Sequence, residues 1–587
     1  MKKIINKPET VVSEMCQGIV LAHPELEFFK KYKVIKKKEI DQNKVILISG
    51  GGSGHEPAHG GFVGKGMLDA AVCGDVFASP SQIQVYQAIK QTASNRGTLL
   101  IIKNYSGDMM NFTNAAAMAR EDGIQVDYVR VDDDIAVQDS LYTVGKRGVA
   151  GTVFIHKLVG AASAQGMDLS QVKAVAERAV ENVKSIGFAL TSCTVPAKGS
   201  PTFDLGDNEM EYGVGIHGEP GIRREKIASA DELAARMVGE ILAQLHLEGG
   251  KDEIAVLVNG FGGTPLMELY LFASAVGKQL AAKNIKIFHM FVGNYLTSID
   301  MAGASLSIMK LDEERKALLT YPCEAPAFTM NGINSPDMGT LCEAENTHES
   351  AVSFTNETDI QWAKITNERV TLENIVYMID YMSEVIIENE VPFCELDSHA
   401  GDGDFGMSIA KGFRQLKREW SEIMKNGCTS ISTFLDSVSM VIMESCGGAS
   451  GPIWGSAFRA AAKSTAGKDY LTLSDFAAMM QAAVAGVYQT GKRSFGRGAV
   501  VGDKTLVDAL VPCADCLSDC AGKETILSAI VKAANAAVVG AEKTKDIVAR
   551  MGRAGTVGER SLGYPDAGAY ALGFIFTRLA ETLQENS

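Results

Sequence analysis

The chain has 587 residues, 46% of them hydrophobic, which is more than one core usually holds, so several globular domains are expected. Its 56 basic and 71 acidic residues give a net charge of −15, which argues against nucleic acid or an anionic membrane as partner and for a small molecule. MKKIINKPET has no apolar stretch after its basic residues and no run is long enough to span a bilayer, so a cytoplasmic location is expected.

In chain order, KVILIS (44–49) reads as a strand entering the glycine run Gly50 to Gly52. The loop GGGSGHEPAHGGFVGKGM (50–67) carries His55 and His59. It is neither a Walker A loop, since GFVGKG has His59 in place of the first glycine and Gly66 in place of Ser or Thr, nor a nucleophile elbow, which needs glycine where His55 stands. The helical pattern QVYQAIKQ precedes a second strand, TLLIIKN (98–104), which ends in YSGD and brings Lys103 and Asp108. VDYVRV, EIAVLVNGFGG and IKIFHMFVGN repeat the theme of an apolar strand running into a glycine or polar loop, as in α/β folds that bind ligands beyond strand carboxyl ends. GVGIHGEPGI sets His217 between glycines, with Glu219 nearby.

A lone histidine is usually satisfied by backbone. Here His55, Asp108 and His217 occupy three glycine-punctuated segments, two of them directly after strands, which points to a site. Residues 322–360, rich in Pro, Gly and Asn, lack either periodicity and read as a linker.

Beyond it, ENIVYMIDYMSEVIIENE, DFAAMMQAAVAGVYQ, ILSAIVKAANAAVVGAEKT and GAYALGFIFTRLAETLQ predict an all-α domain with its polar motifs in the breaks between helices. Cys513, Cys516 and Cys520 fall at largely helical spacing with no fourth ligand near, so they read as reduced helix cysteines rather than a zinc or iron–sulfur site.

The break LDSHAGDGDFGM (396–407) groups Asp397, Asp402 and Asp404, a hard-oxygen set suited to Mg²⁺. Counted from Asp402, an EF-hand fails at Gly406, Met407 and Phe413; a solvated turn with a helix cap is the other reading. CGGASGPIWG offers Ser450 and small residues for backbone approach to phosphate, GDKTLVDAL adds Lys504 and Thr505, and MGRAGTVGERS supplies Arg553, which together suggest a Mg-nucleotide site.

The series Asp397…GDGD, GGASG, GDKTLVDAL, GRAG…GERSLG and PDAGA resembles the ATP-binding domain of dihydroxyacetone kinases. GGGSGHEPAH, CGDVFASP, KNYSGD, GVAGTVFIHKL, SCTVPA and NEMEYGVGIHGEPG resemble the substrate domain of the same family. The resemblance implies an α/β ketose-binding domain of two subdomains over 1–335, a linker over 336–370 and an all-α eight-helix barrel over 371–587. It further implies ATP as phosphoryl donor, two Mg²⁺ ions on Asp397, Asp402 and Asp404, and a homodimer.

By that resemblance the nucleotide lies against Gly401, Asp402, Gly403, Asp404, Phe405, Ala449, Ser450, Gly486, Lys504, Thr505, Arg553, Asp566, Ala567 and Gly568. Dihydroxyacetone is held by Gly52, Ser53, Gly54, His55, Lys103 and Asp108 and captured as a hemiaminal on His217. Asp108 acts as base, His55 assists capture, and Lys504 and Arg553 disperse phosphoryl charge; His59 and His156 are left structural. Fusion of both domains favours direct use of ATP over a phosphoenolpyruvate-dependent system. The chain departs from the family at Phe405, Lys504, Ala567 and Thr556, which bears on nucleotide affinity and on substrate choice, with an erythrulose or glyceraldehyde kinase as alternative; a FAD-AMP lyase and a ketose sensor are the further alternatives.

Overall fold

The computed structural model describes residues 2–137, 145–218, 221–333, 335–337, 353–551, 555 and 558–587. The chain divides into two compact units, Met1–Thr347 and His348–Ser587.

The first unit opens with α1 (Val11–Ala22), β1 (Leu26–Phe29), β2 (Val34–Lys37), β3 (Ile46–Ser53), β4 (Ala70–Val76), α2 (Gln82–Thr92), β5 (Thr98–Lys103), α3 (Ser106–Glu121) and β6 (Val126–Val131). These strands form one sheet in the order β1-β2-β4-β3-β5-β6. Its β4-β3-β5-β6 part is parallel, with β1 and β2 added antiparallel at one edge. Every residue of β3 and β5 is buried, as the continuous apolar runs ILIS and LLIIK require of strands covered on both faces.

One element runs further than expected: β3 continues through the glycines to Ser53. A Cβ on Gly50 would lie 2.4 Å from the Val72 carbonyl of β4, so glycine is what allows the strand to stay in register there. The glycine loop proper therefore starts at Gly54, after the strand end.

Between the sheets of this unit lie α4 (Thr152–Ala164) and α5 (Leu169–Glu181). Every residue of α4 from Thr152 to Ser163 is buried, the pattern of a helix apolar nearly all round and covered on every side. The second sheet comprises β7 (Val183–Ala189), β8 (Glu209–Tyr212), β9 (Arg223–Lys226), β10 (Glu253–Gly260), β11 (Lys286–Gly293) and β12 (Gly303–Leu311), with α6 (Ala230–Leu245) and α7 (Leu266–Ala282) between strands. Its order is β11-β10-β12-β7-β8-β9; β10 and β11 pair parallel and the other neighbours antiparallel. A short α8 (Glu313–Thr320) and the hairpin β13 (Cys323–Ala325) and β14 (Phe328–Met330) complete the unit. Capping boxes at Ser81–Gln84, Asp168–Gln171 and Ser229–Glu232 start α2, α5 and α6.

The second unit is all-helical: α9 (Leu372–Glu388), α10 (Glu390–Asp397), α11 (Phe405–Arg418), α12 (Trp420–Glu422), α13 (Ile431–Ser445), α14 (Ser450–Ser464), α15 (Leu473–Phe495), α16 (Val507–Cys520), α17 (Ile526–Lys543) and α18 (Ala567–Glu585). Apart from the short α10 and α12, each packs on its predecessor, and α18 packs back on α9, closing a ring of eight long helices. Along its interior lies a cavity of about 160 Å³ lined by apolar side chains such as Met382, Trp454, Phe476 and Leu510. Its lining offers no charged group. Cys513, Cys516 and Cys520 lie on α16, with burial pushing the Cys513 thiol up to about 12, far from a ligating thiolate.

Part of the linker stretch packs into this unit. Ala363 and Val370 are fully buried, and Val370 pairs with Leu471. The anchor is Asp380 on α9, whose carboxylate forms a fully buried ion pair with Lys417 and accepts backbone hydrogen bonds from Glu357 (2.9 Å) and Thr358 (3.0 Å). Removing the carboxylate would strand the Lys417 ammonium, so Asp380→Ala is expected to destabilise the helical unit by about 3–5 kcal/mol in denaturant melts. A loss below about 1 kcal/mol, the range of surface pairs, would contradict that role.

Candidate functional site

In the α/β unit, strand ends converge on a polar pocket. His55 follows β3, Lys103 ends β5, and Asp108 sits in the first turn of α3. His217 comes from the loop after β8. Its ring stands edge-on to three others, with centroids 4.8 Å from His55, 5.4 Å from Phe77 and 4.5 Å from Tyr105. Burial, reinforced by the Lys103 and Arg147 charges, pulls the His217 imidazole down to about 3. It is therefore neutral at ordinary pH, the form in which one ring nitrogen carries a lone pair.

His55 is fixed by its own hydrogen bond. Nδ1 lies 2.8 Å from the Thr297 carbonyl oxygen, which can only accept, so Nδ1 carries the proton and Nε2 bears the lone pair. That Nε2 is buried with no hydrogen-bond partner among the described residues. Burial, then His217 and Lys103, hold the ring well below the usual histidine range. Asp108 has one oxygen, Oδ2, 3.8 Å from Lys103 Nζ, while Oδ1 is likewise buried without a hydrogen-bond partner among the described residues. Burial raises the Asp108 carboxyl and Lys103 opposes the rise. Buried polar atoms left open in a pocket are where a ligand's hydroxyls belong.

The glycine loop contributes shape. The Ser53 hydroxyl is spent on the Gly74 carbonyl at 2.7 Å, and Gly54 N–H donates to the Glu56 carboxylate. A Cβ on Gly52 would meet the Phe77 and Ala78 backbone at 2.7 Å. Phe77, Tyr105 and Thr297 had no role in the sequence reading. The first two stand inside the quoted motifs CGDVFASP and KNYSGD, whereas nothing local marks Thr297 as the anchor of His55. Glu219 lies outside the described residues.

In the helical unit, the breaks α10–α11, α13–α14, α15–α16 and α17–α18 are alternate connections around the ring, so they gather at one end. Hydrogen bonds tie them together: Ser408 Oγ donates to the Gly447 carbonyl at 2.7 Å, and the Arg550 backbone N–H to the Asp503 backbone carbonyl at 3.0 Å. Oxygens of Asp397, Asp402 and Asp404 all come within 4.8 Å of one another, the one such group of three or more His, Cys, Asp or Glu found among the described residues. Asp397 Oδ2 accepts from Gly403 N–H at 2.9 Å, and a Cβ on Gly401 would fall 2.3 Å from Asp397 Oδ1. Three carboxylates gathered in a glycine cradle fit a hard cation such as Mg²⁺.

Asp566 caps α18 by accepting from Ala569 N–H at 2.8 Å; burial, with Asp508 and Asp397 near, raises it to about 7. Ala567 and Gly568 open α18, Ala449 and Ser450 open α14, and Thr505 precedes α16, all at this end. Gly486 lies within α15, where a Cβ would be 2.5 Å from the Ser456 carbonyl of α14, so helix contact accounts for it. Lys504 is buried and donates to the carbonyls of Ser561 and, at 2.8 Å, Tyr564. It thus braces the segment before Asp566. Phe405 leans on Phe393 at 6.3 Å between centroids, as part of the hydrophobic packing. Arg553 and Thr556 lie outside the described residues. No described helix is long and apolar enough to cross a membrane.

An α/β unit with a cluster of buried polar side chains at its strand ends, joined in one chain to a helical unit with a carboxylate-lined loop end, fits the plan of a two-domain kinase. Comparison with known proteins bears this out: residues 17–327 match the Dak1 domain and residues 399–581 the DAK2 domain. The dihydroxyacetone-binding subunit DhaK of the PTS-dependent dihydroxyacetone kinase of Lactococcus lactis is 52% identical over 54% of this chain and 95% of its own length. The L-erythrulose 1-kinase of Mycolicibacterium smegmatis is 34% identical over 99% of this chain and 100% of its own. The dihydroxyacetone kinase from C. freundii, solved in complex with AMP-PNP and Mg²⁺, is 30% identical, with a TM-score of 0.58 over 99% of both chains. The chain belongs to the dihydroxyacetone kinase family and is an enzyme, a kinase.

Proposed function

We propose that the protein transfers the γ-phosphoryl group of ATP to a hydroxyl of dihydroxyacetone, giving dihydroxyacetone phosphate, while the ketone is held as a hemiaminal on His217. The observation that carries this reading is the neutral His217 imidazole, edge-on to His55 in a pocket where Asp108 Oδ1 and His55 Nε2 are open. A His217 nitrogen lone pair adds to the ketone carbon; the ring gives up its N–H proton and the ketone oxygen gains one. His55 Nε2 accepts a substrate hydroxyl and assists that exchange. Asp108 takes the proton of the attacking hydroxyl, and Lys103 keeps the carboxylate ionised. Gly52, Ser53 and Gly54 line the pocket floor.

On the nucleotide side, Asp397, Asp402 and Asp404 hold two Mg²⁺ ions, which neutralise charge on the phosphates when bound. Gly401, Gly403, Ala449, Ser450, Thr505, Asp566, Ala567 and Gly568 shape the nucleotide bed, and Arg553 supplies the positive charge that Lys504, committed to carbonyls, does not. A four-carbon ketose is the second reading, favoured by the full-length similarity to an L-erythrulose kinase. The enzyme is cytoplasmic in this reading, and a homodimer would cover the exposed Leu266, Met267, Tyr270 and Leu271 of α7.

An ADP-release assay over dihydroxyacetone, glyceraldehyde, both erythruloses and glycerol tests the proposal. Turnover with dihydroxyacetone and none with glycerol is expected, because only a carbonyl can be captured. Comparable rates with glycerol would remove the covalent step from the account.

A further inference from the structure

Behind the pocket lie two histidines that the chemistry above leaves idle. His59 Nε2 is 3.0 Å from Lys103 Nζ, and His59 Nδ1 is 2.9 Å from Nε2 of His156 on α4. All three side chains are buried: Lys103 is 1% exposed, His59 5% and His156 0%. The proton positions follow from donor chemistry. An ammonium only donates, so His59 Nε2 accepts and its proton sits on Nδ1; that proton is donated to His156 Nε2, which leaves the His156 proton on Nδ1.

The Lys103 ammonium has three N–H bonds to place. Two are held from behind, by His59 Nε2 and by the Gly50 carbonyl at 3.3 Å. The third is left for the Asp108 side, where the 3.8 Å gap to Oδ2 is too long for a hydrogen bond. The titratable groups around this ammonium are Asp108 from α3, His55 and His59 from the glycine loop, His156 from α4 and His217 from the loop after β8.

We infer that His59 and His156 are positioning residues: a tautomer-locked pair that turns one N–H of Lys103 toward the hydroxyl acceptor and Asp108. His156 sets the His59 tautomer, and His59 sets the direction of the ammonium. Without the His156 acceptor, the His59 ring is free to present N–H to Lys103, two donors facing one another. This inference rests on the kinase reading for its effect on rate, but its geometry stands in the ligand-free protein.

The test compares His156→Gln, which keeps an acceptor for His59 Nδ1–H, with His156→Leu, which keeps apolar bulk and no acceptor. Two readouts are taken on the full chain: ketose-dependent kcat and KM across pH, and the NMR titration of the Lys103 ammonium without ketose. His156→Leu is expected to lose about tenfold or more in kcat with little change in KM, while His156→Gln stays within about threefold of wild type. The lysine titration and the basic limb of kcat should both move to lower pH by about one unit in His156→Leu, since an ammonium that loses an acceptor gives up its proton more readily. A merely space-filling histidine predicts the reverse order, with Leu the better substitute; that order, or an unshifted titration in His156→Leu, would overturn the inference. Should wild type lack ketose turnover, the proposed function fails, and the lysine titration alone still decides between a positioning pair and a filler.

Discussion

Asp402→Ala should abolish phosphoryl transfer, with kcat falling about 10³-fold and Mg²⁺ affinity falling alongside it. Asp402 is the most exposed of the three gathered carboxylates, whereas Asp397 accepts the Gly403 N–H and so also shapes the loop. Its removal takes one carboxylate from the proposed cation site and leaves the Asp397–Gly403 hydrogen bond intact. Phosphoryl transfer has little covalent chemistry for protein to perform and depends on charge neutralisation and positioning, so losing a ligand strikes the main source of rate. Steady-state kinetics over a Mg²⁺ series, with circular dichroism to confirm folding, checks the prediction. Retention of more than a tenth of wild-type kcat at ordinary Mg²⁺ would place the phosphate-bound cation elsewhere.

The second large effect is expected at His217. His217→Ala should lower kcat/KM for dihydroxyacetone about 10²-fold or more and erase discrimination against glycerol. With carbonyl-labelled dihydroxyacetone, carbon NMR of the wild-type protein should show the ketone carbon converted to a tetrahedral one, and the variant should show only free ketone. The pH behaviour follows from burial. Since the folded imidazole is held at about 3, below the ordinary histidine value of 6.5, it stays neutral as pH falls from 7 to 5, and capture should show no inflection near 6.5. The sign for stability is opposite to that of a salt-bridged histidine. Between pH 6.5 and 3 the unfolded chain binds a proton at this residue that the fold does not, so His217 contributes a loss of stability on acidification.

Much of the fold was legible because its signals were local. Apolar runs punctuated by glycine placed β3, β5, β6, β10 and β11, and helical periodicity placed the long helices of the second unit. The candidate site was legible where chemistry concentrates, at Asp397, Asp402 and Asp404 and at the glycine-flanked His55 and His217. What escaped was set by tertiary packing. Lys504 reads as a phosphate ligand from its neighbours, yet it is turned toward the Ser561 and Tyr564 carbonyls by a segment some 57 to 60 residues away. Phe405 departs from the family pattern, and its ring joins Phe393 in the apolar packing beneath the aspartate loop, a role that only the folded chain reveals. His59 and His156 are 97 residues apart, and no spacing in the sequence announces that they meet.

The central claim is that one chain carries phosphate from ATP to a captured ketose without an external phosphoryl relay. The first half is 52% identical to a subunit of a PTS-dependent kinase, so the donor is the point on which the account is most exposed. Phosphorus NMR of the purified full chain with ATP, Mg²⁺ and dihydroxyacetone, and no other protein, tests it directly. The account predicts that the γ-phosphate signal decays as a phosphate monoester of the ketose grows in equal amount, and that Asp402→Ala stops both. Formation of the monoester only when phosphoenolpyruvate and PTS proteins are supplied would contradict it.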